Sequence, residues 1–209
     1  MKSFVLLGLF AVAFGFAAGA DYEEAIEEIN QAFPGIIAGP PELIKVVFDN
    51  GAFLDLGKNI TPTETKNQPV VVDWNADKDT YYTLMVVDPD GPSRKDPYLR
   101  NILTWLVGNI PGKNITAGDC IVEYVSAAPP KNMGMNRYFY FIFPQPKKLE
   151  FNETRIDNYT ENGRTNFSVI KFMEKYNLGK LAFVNFHTSY FDQQTTDLYN
   201  QLNCCEELM

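Results

Sequence analysis

The sequence has 209 residues and a formal net charge of −8, and it contains 16 phenylalanines and 11 tyrosines. A chain this acidic, without a cluster of lysine or arginine, is not expected to bind nucleic acid or anionic membrane surfaces, which bind basic patches. The length suits one domain, and the many aromatic residues favour a core rich in β-strands.

The first 20 residues have the pattern of a secretory signal peptide. Lys2 supplies a short basic start, residues 4–16 form an apolar run, and residues 18–20 have the small-x-small pattern of a cleavage site. No later apolar run approaches the roughly 20 residues that a membrane-spanning helix needs. We therefore expect a secreted, extracellular protein without a transmembrane segment, in which residues 21–209 fold as one domain.

One helix is predicted before the strands begin, in residues 21–33. Glutamates occupy its polar positions and its N-terminal end, where negative charge stabilises a helix. Pro34 and Gly35 end the pattern. The apolar residues at helical spacing are Tyr22, Ala25, Ile26, Ile29 and Phe33.

Strand patterns dominate the middle of the chain, where segments rich in Val, Ile, Tyr and Phe are separated by Gly, Pro or Asn. Several of these segments are apolar throughout, which indicates a sheet covered on both faces. The predicted strands are residues 43–48, 70–74, 81–87, 102–107, 121–125 and 138–143.

The last third of the chain begins with a polar stretch, residues 147–166, which is predicted to be a long surface loop. An amphipathic helix is predicted in residues 166–179 and a final helix in residues 192–202. A short strand, residues 181–186, lies between them.

Five N-x-Ser/Thr sequons accompany the signal peptide. They support passage through the secretory route and place each asparagine in a surface loop. The five acceptor residues are Asn59, Asn114, Asn152, Asn158 and Asn166.

Three cysteines are present, Cys120, Cys204 and Cys205. In an oxidising compartment they predict one disulfide, from Cys120 to either Cys204 or Cys205, and the remaining thiol can pair between chains. A bond between the neighbours Cys204 and Cys205 would need a strained ring. Their spacing does not fit a metal site.

Catalysis is not expected. The chain has one histidine, His187, in the segment VNFHTSY, where an ordinary core or surface histidine is commoner than a catalytic one. The sequence has no Gly-x-Ser-x-Gly elbow, no phosphate-binding glycine loop and no pair of metal-binding histidines. We therefore expect no catalytic residue, no metal and no cofactor. An enzyme would need His187 beside Asp88 or a serine in one cleft.

The most unusual local pattern is VVDPDGPSRKDP, residues 86–97. Pro89 biases Asp88 towards an extended backbone, so the strand continues to that residue before the chain turns. Gly91 can adopt a positive φ angle, and Pro92 restricts another dihedral. Two interpretations remain open: a rigid turn with an ion pair between Arg94 and an aspartate, or the lip of a binding site.

This stretch and three others resemble the phosphatidylethanolamine-binding protein family. The order and spacing of that family are matched by DPDGPSRKDP, TWLVGNI, EYVSAAPPKNMGMNRYFYFIFPQP and LYNQL, and the resemblance reaches from residue 36 to Leu202. It implies a mainly β fold, with a large antiparallel sheet packed on a smaller sheet and C-terminal helices. Together with the predicted N-terminal helix, this is the fold that we expect. It also implies a small pocket at one end of the main sheet that binds anions such as phosphate or the phosphorylethanolamine headgroup.

The resemblance also implies which residues form that pocket. Asp88, the first aspartate of the motif, lies in it, and Tyr138 corresponds to a pocket tyrosine. Pro129 and Pro130 shape one wall, with Tyr124 nearby.

Both pocket histidines of the family are replaced in this chain, by Thr104 in ILTWLVGN and by Asn136 in GMNRY. Histidine can carry a positive charge and donate two hydrogen bonds to a phosphate, whereas threonine and asparagine are uncharged. Charge-assisted bonds are worth roughly 1.5–3 kcal/mol and neutral ones about 1 kcal/mol. Phosphate binding should therefore weaken by roughly tenfold to a few hundredfold, and we expect a pocket that prefers a neutral or ammonium-bearing ligand.

Two functions from different classes remain open. The first is a secreted, monomeric binding protein with an altered headgroup pocket, whose partner is a small polar ligand or a phospholipid headgroup. The second is an extracellular protein-interaction module, similar to a serine-protease inhibitor, in which the pocket is vestigial. A protein partner is expected only in the second case.

Overall fold

The structure is a computed structural model that describes residues 21–202. The predicted signal peptide, Cys204 and Cys205 lie outside the described residues. The chain divides into two compact units, Met1–Gly35 and Ile36–Met209. The expected single domain over residues 21–209 stays a prediction.

The first unit contains the predicted N-terminal helix, α1, over residues 21–32. Ala25, Ile29 and Ala32 are buried along one side of it, at the spacing of successive helical turns. The Phe33 N–H donates to the Ile29 carbonyl at 2.8 Å. Gly35 follows with a φ angle of +83°, the left-handed conformation in which helices commonly end.

The second unit is mainly β. Its strands are β1 (Glu42–Leu43), β2 (Lys45–Val47), β3 (Val71–Asp73), β4 (Tyr81–Asp88), β5 (Ile102–Pro111), β6 (Asp119–Val122), β7 (Met135–Pro144) and β8 (Phe183–Tyr190). Its helices are a 3₁₀ turn (Ile115–Ala117), α2 (Val169–Tyr176) and α3 (Gln193–Leu202).

Six strands form one large sheet in the order β1-β8-β7-β4-β5-β6, and β2 pairs antiparallel with β3 in a second sheet. The predicted mainly β fold with a large and a small sheet is therefore confirmed. The large sheet is mixed rather than wholly antiparallel, because β1 runs parallel to β8, with Glu42 opposite Phe183. Strands so distant in sequence are not joined by a hairpin, so no turn forces them to run antiparallel.

The predicted strand 43–48 is divided between the two sheets. Buried Ile44 separates β1, which joins the large sheet, from β2, which joins the small one. The predicted strand 121–125 begins two residues earlier and ends three residues earlier, as β6. Asp119 and Cys120 belong to it because they pair with β5 at the sheet edge, despite the charge of Asp119.

The core cluster contains buried side chains from both sheets, including Val46 of β2, Val86 of β4, Trp105 of β5 and Tyr140 of β7. Residues 82–88 of β4 are all buried, as expected for a central strand that is covered on both faces. A separate aromatic group joins α2 to the loop that precedes it: Phe151 lies 4.7 Å from Tyr176, measured between ring centroids.

The loop at residues 147–166 contains no helix or named strand, but it is fastened to the large sheet. The Ile156 N–H donates to the Ile121 carbonyl at 3.0 Å, and the Ile156 carbonyl accepts from the Glu123 N–H at 2.8 Å. Phe151 and Arg164 are buried. The surface prediction was wrong for these anchoring residues, because a polar average conceals single buried side chains.

Four of the five sequon asparagines are exposed, and Asn158 is half-buried. Within residues 21–202 no helix combines the length and the apolar character needed to cross a bilayer.

Candidate ligand-binding site

Three strands bring the predicted pocket residues to one end of the large sheet. Asp88 is the last residue of β4 and lies opposite Ile102, the first residue of β5. Because β5 and β7 both run antiparallel to β4, the end of β4 lies beside the starts of both neighbours. One cavity is therefore lined by Asp88, Thr104, Asn136 and Tyr138.

This sheet-end cavity has a volume of about 60 Å³. Loops and α3 supply its remaining walls, which are mostly apolar. Further polar residues also line it: Ser126, Glu161, Arg164, Thr165 and Tyr199. Its main apolar lining residues are Leu99, Ile102, Val125, Ala128, Leu198 and Leu202.

Asp88 is 3% exposed and receives hydrogen bonds from neutral groups. Its Oδ1 accepts from the Asp90 N–H at 2.7 Å, and its Oδ2 accepts from Asn136 Nδ2 at 2.9 Å. Burial raises the pKa of Asp88 to about 7, although the hydrogen bond from Asn136 works in the opposite direction. The carboxyl group is therefore neutral in mildly acidic solution and ionises near neutral pH.

Asp90, the second aspartate of the motif, is held by a guanidinium group. Arg137 donates to it through Nε at 2.8 Å and through Nη2 at 2.7 Å, and the Arg137 backbone N–H adds a third bond at 3.0 Å. Both side chains are buried. This bidentate pair ties the turn after β4 to β7. The side chain of Arg94 is exposed, and its ion pair with an aspartate stays a prediction.

Gly91 does not use the positive φ angle that a glycine can adopt. Its role is close packing, because a Cβ atom at this position would run into the side chain of Ile102. A glycine lets the turn approach β5 this closely.

The two residues at the family's histidine positions make different contacts. The Thr104 hydroxyl donates to the Val86 carbonyl at 3.1 Å, so its proton is already bound. Asn136 uses Nδ2 for Asp88, and its Oδ1 has no hydrogen-bond partner among residues 21–202. The Ser126 hydroxyl in the same cavity also lacks a partner there.

Tyr138 lies between the cavity and His187. Its hydroxyl oxygen accepts from the Ala128 N–H at 3.0 Å, and its ring stacks on the imidazole with centroids 5.1 Å apart. Burial lowers the pKa of His187 to about 4, so the ring is neutral at ordinary pH. His187 is not among the residues that line the cavity.

Two residues predicted to flank the pocket lie outside its lining. Ser126, Ala128 and Pro130 line the cavity whereas Pro129 does not, in keeping with the alternation of side chains along an extended segment. Tyr124 packs edge-on against Trp105 at 5.6 Å and belongs to the rim of the core cluster.

Arg164 lines the cavity, although no sequence pattern predicts it there. It is 1% exposed, and its Nε, Nη1 and Nη2 atoms donate to five backbone carbonyls, those of Leu103, Thr104, Glu123, Asp157 and Thr160. Burial lowers its pKa to about 10. A single arginine in a polar stretch carries no local signal of such a position.

The wall formed by α3 was also not assigned from the sequence, although a signal existed. Leu198 and Leu202 are four residues apart, so they share one face of the predicted helix, and both line the cavity. Tyr199 joins the helix to the opposite wall by donating to the Ala128 carbonyl at 2.8 Å. Within the described part of the chain no cluster of three or more His, Cys, Asp or Glu residues could hold a metal ion.

Relatives of known sequence and structure share this fold. The chain is 37% identical over 190 residues to "Putative odorant-binding protein A5" of Drosophila melanogaster. The aligned region covers 89% of this chain and 90% of the relative. The solution structure of CG7054 is 36% identical, with a TM-score of 0.66, over 79% of this chain and 93% of that one.

More distant structures agree in fold. The carboxypeptidase Y inhibitor, in complex with its cognate proteinase, is 20% identical, with a TM-score of 0.68, over 84% of this chain and 96% of that one. The phosphatidylethanolamine-binding protein from Plasmodium vivax is 19% identical, with a TM-score of 0.62, over 82% and 97%. The family model for the phosphatidylethanolamine-binding protein matches residues 45–187. This chain therefore belongs to the phosphatidylethanolamine-binding protein family.

Proposed function

We propose that this chain is a secreted, non-catalytic binding protein that encloses one small, largely apolar organic molecule in the sheet-end cavity. The observation that carries the proposal is the convergence of Asp88, Thr104, Asn136 and Tyr138 on one space whose other walls are mostly apolar. Sites for small molecules typically combine apolar walls with a few converging polar groups. The name of the Drosophila relative, an odorant-binding protein, supports an organic ligand.

The donors around the cavity argue against free phosphate as the ligand. The Thr104 hydroxyl donates to the Val86 carbonyl, and Asn136 directs its Nδ2 to Asp88. Arg164 is the cation in the lining, and its five N–H groups are used by five carbonyls. A phosphate would face the Asp88 carboxyl group without a free charge-assisted donor, so a neutral or ammonium-bearing ligand is favoured.

His187 supports a binding role rather than a catalytic one. A general base must come within hydrogen-bond reach of its substrate. The ring of His187 is 1% exposed, stacks on Tyr138 and does not line the cavity. The histidine is therefore a packed core residue in this proposal.

The secretory part of the proposal rests on the sequence. Residues 1–20 have the signal-peptide pattern, and four of the five sequon asparagines are exposed. An odorant-binding relative is consistent with an extracellular site of action.

The test of ligand charge is a calorimetric titration with inorganic phosphate. The wild type is compared with the double variant Thr104→His/Asn136→His, which restores the two histidines. We expect the variant to bind phosphate roughly tenfold or more tightly than the wild type, because two groups that can carry positive charge replace two neutral ones. Equal and tight binding by both proteins would overturn the preference for a neutral ligand.

The test of the cavity itself uses four-carbon compounds such as 2-butanone, followed residue by residue by NMR. Ala128→Met fills the cavity and should abolish the shifts of the lining residues. Ala182→Met makes the same change at a half-buried alanine beside the core cluster and should leave them intact. If no four-carbon compound binds the wild type, the pocket is vestigial and the protein-interaction alternative replaces this proposal.

A further inference from the structure

Two Asn-Gly pairs occur in the chain, Asn50–Gly51 and Asn162–Gly163. In such a pair the backbone nitrogen of the glycine can attack the side-chain carbon of the asparagine, because glycine has no Cβ atom to hinder the approach. The result is deamidation of the asparagine. All four residues are exposed, and the two glycines have similar φ angles, +86° and +88°. Exposure and glycine conformation therefore do not distinguish the two pairs.

Hydrogen bonds restrain the first pair. Asn50 Nδ2 donates to the Glu64 carbonyl at 2.8 Å, and Asn50 Oδ1 accepts from the Ala52 N–H at 2.9 Å. The Gly51 N–H donates to the Phe48 carbonyl at 3.0 Å. The side-chain amide and the attacking nitrogen are both held by other partners, and these hydrogen bonds must break before the two groups can react.

The second pair lacks these restraints. Neither the Asn162 side chain nor the Gly163 N–H forms a hydrogen bond with any other residue between 21 and 202. The pair lies at the centre of a turn in which the Arg164 N–H donates to the Glu161 carbonyl at 3.1 Å. The positive φ angle at the third position of this turn requires a glycine. The turn fixes the backbone around the pair and leaves the Asn162 amide able to rotate towards the glycine nitrogen.

We propose that Asn162 deamidates spontaneously in the folded protein, whereas the fold protects Asn50. The Gly163 nitrogen gives its proton to a hydroxide ion and forms a bond to Asn162 Cγ. The bond from Cγ to Nδ2 breaks, Nδ2 takes a proton from water and leaves as ammonia, and a succinimide ring remains. Water then opens the ring at either carbonyl carbon and gives aspartate or isoaspartate. The net reaction converts an amide and water into a carboxylic acid and ammonia, without an oxidant or a cofactor.

The position of the turn connects this modification to the sheet-end cavity. Glu161 and Arg164 flank the Asn-Gly pair, and both line the cavity. The Arg164 guanidinium is fixed to five backbone carbonyls, among them that of Thr160, which accepts from Nε at 2.7 Å. Isoaspartate lengthens the backbone of the turn by one carbon atom, whereas aspartate adds only a charge. Isoaspartate should therefore displace Glu161 or strain the hydrogen bonds of Arg164, whichever ligand the cavity binds.

The decisive experiment compares the two asparagines within one protein. The secreted protein is incubated at mildly alkaline pH, and tryptic peptides are analysed by mass spectrometry against a sample digested at the start. Fragmentation distinguishes Asn162 from Asn158, which lies in the same tryptic peptide, residues 156–164. We expect Asn162 to react roughly tenfold or more faster than Asn50, because three hydrogen bonds restrain the Asn50–Gly51 pair. In guanidinium chloride, which unfolds the chain, the two rates should become similar.

Equal rates at the two asparagines in the folded protein would overturn the proposal. The same holds if Asn162 reacts only after the chain has been unfolded. Asn162→Gln is the control for the assignment, because glutamine keeps an amide at this exposed position but would have to form a larger ring. This variant should abolish the reaction in peptide 156–164 and leave the rate at Asn50 unchanged.

The effect of the extra backbone atom is measured separately. Ion exchange isolates the deamidated protein, which has one more negative charge and contains both products. Its isoaspartate component should unfold at a lower denaturant concentration than Asn162→Asp, which carries the same charge on an unaltered backbone. Superimposable unfolding curves would overturn the effect on the turn, whereas the rates of deamidation decide on the site itself.

Discussion

Asp88 and Asp90 are two residues apart and both are buried, but their hydrogen-bond donors differ in charge. Asp90 is paired with the guanidinium of Arg137, whereas the hydrogen bonds to Asp88 come from a backbone N–H and an amide. A buried carboxylate whose hydrogen-bond donors are all neutral is less stable as an anion than a carboxylate in water. Asp90 therefore anchors the turn, and Asp88 is the group whose charge can change near neutral pH.

Asp88 makes the stability of the protein depend on pH. Its pKa is 3.8 in the unfolded reference and about 7 in the folded protein. Between these values the folded state holds a proton that the unfolded state has released. The stabilisation is complete below pH 3.8 and is lost as the pH rises to about 7. Relative to the wild type, the free energy of unfolding of Asp88→Asn should therefore increase by a few kcal/mol between pH 4 and pH 8.

Urea unfolding of both proteins at several pH values measures this difference. The asparagine loses one acceptor oxygen, which lowers its stability by an amount that does not depend on pH. Asp79→Asn, at an exposed aspartate, is the control and should parallel the wild type. If the Asp88→Asn curve also runs parallel to the wild-type curve, Asp88 does not titrate as described.

Sequence alone could bring Asp88, Thr104, Asn136 and Tyr138 together, because each lies in a stretch that resembles the family. It could not identify Ser126 or Arg164 as cavity residues. A serine in a loop and an arginine in a polar stretch usually face solvent. Only the folded path of the chain buries these two residues, so no local pattern marks them.

A hydrogen bond joins α3 to the loop before α2 close to Cys120. Gln201 Nε2 donates to the Asn158 carbonyl at 2.6 Å, and Asn158 and Cys120 line the same surface depression. Cys204 follows Gln201 by three residues, which span at most about 11 Å when extended. A disulfide from Cys120 to Cys204 or Cys205 would fasten the helix that closes one side of the cavity.

We therefore predict that the protein from a secretory host carries this disulfide. Peptide mapping without reduction should show Cys120 joined to Cys204 or Cys205, and Cys204→Ser and Cys205→Ser identify the partner. Cys120→Ser should lower the free energy of unfolding by about 2–4 kcal/mol, because the unfolded chain is no longer restrained. A free thiol at Cys120 in the native secreted protein would contradict the prediction.

Most helices and strands could be predicted from the sequence, and the errors in strand boundaries share one cause. Apolar patterns locate strands but do not tell which sheet a strand joins, so residues 43–48 read as one strand although they form β1 and β2. Polar edge residues such as Asp119 belong to β6 because they pair with β5, and pairing between distant segments has no local signature.

The exposure of the sequons predicts an uneven pattern of glycosylation. Asn114, Asn152 and Asn166 are exposed. Asn158 is half-buried, and both of its backbone groups are engaged, by Glu123 and by Gln201. We expect a mature N-terminus at Asp21. We also expect higher occupancy at these three of the four exposed sites than at Asn158, where the folded chain hinders the transferase.

Glycopeptide mass spectrometry of the secreted protein measures each occupancy. Thr160→Ala removes the Asn158 sequon and should change the intact mass little, whereas Thr116→Ala, which removes the Asn114 sequon, should remove a full glycan. Equal occupancy at Asn158 and Asn114 would show that glycans are added before this part of the chain folds.

The parallel pairing of β1 with β8 has a consequence for how the protein is made. Asn185 of β8 donates to the Ile44 carbonyl across 141 residues and also accepts from the Leu56 N–H. The segment around residues 42–56 therefore cannot complete its hydrogen bonds until β8, near the end of the chain, has been synthesised. Contacts this distant slow folding and leave an unpaired edge in the meantime. The nascent chain should therefore depend on chaperones until synthesis is nearly finished.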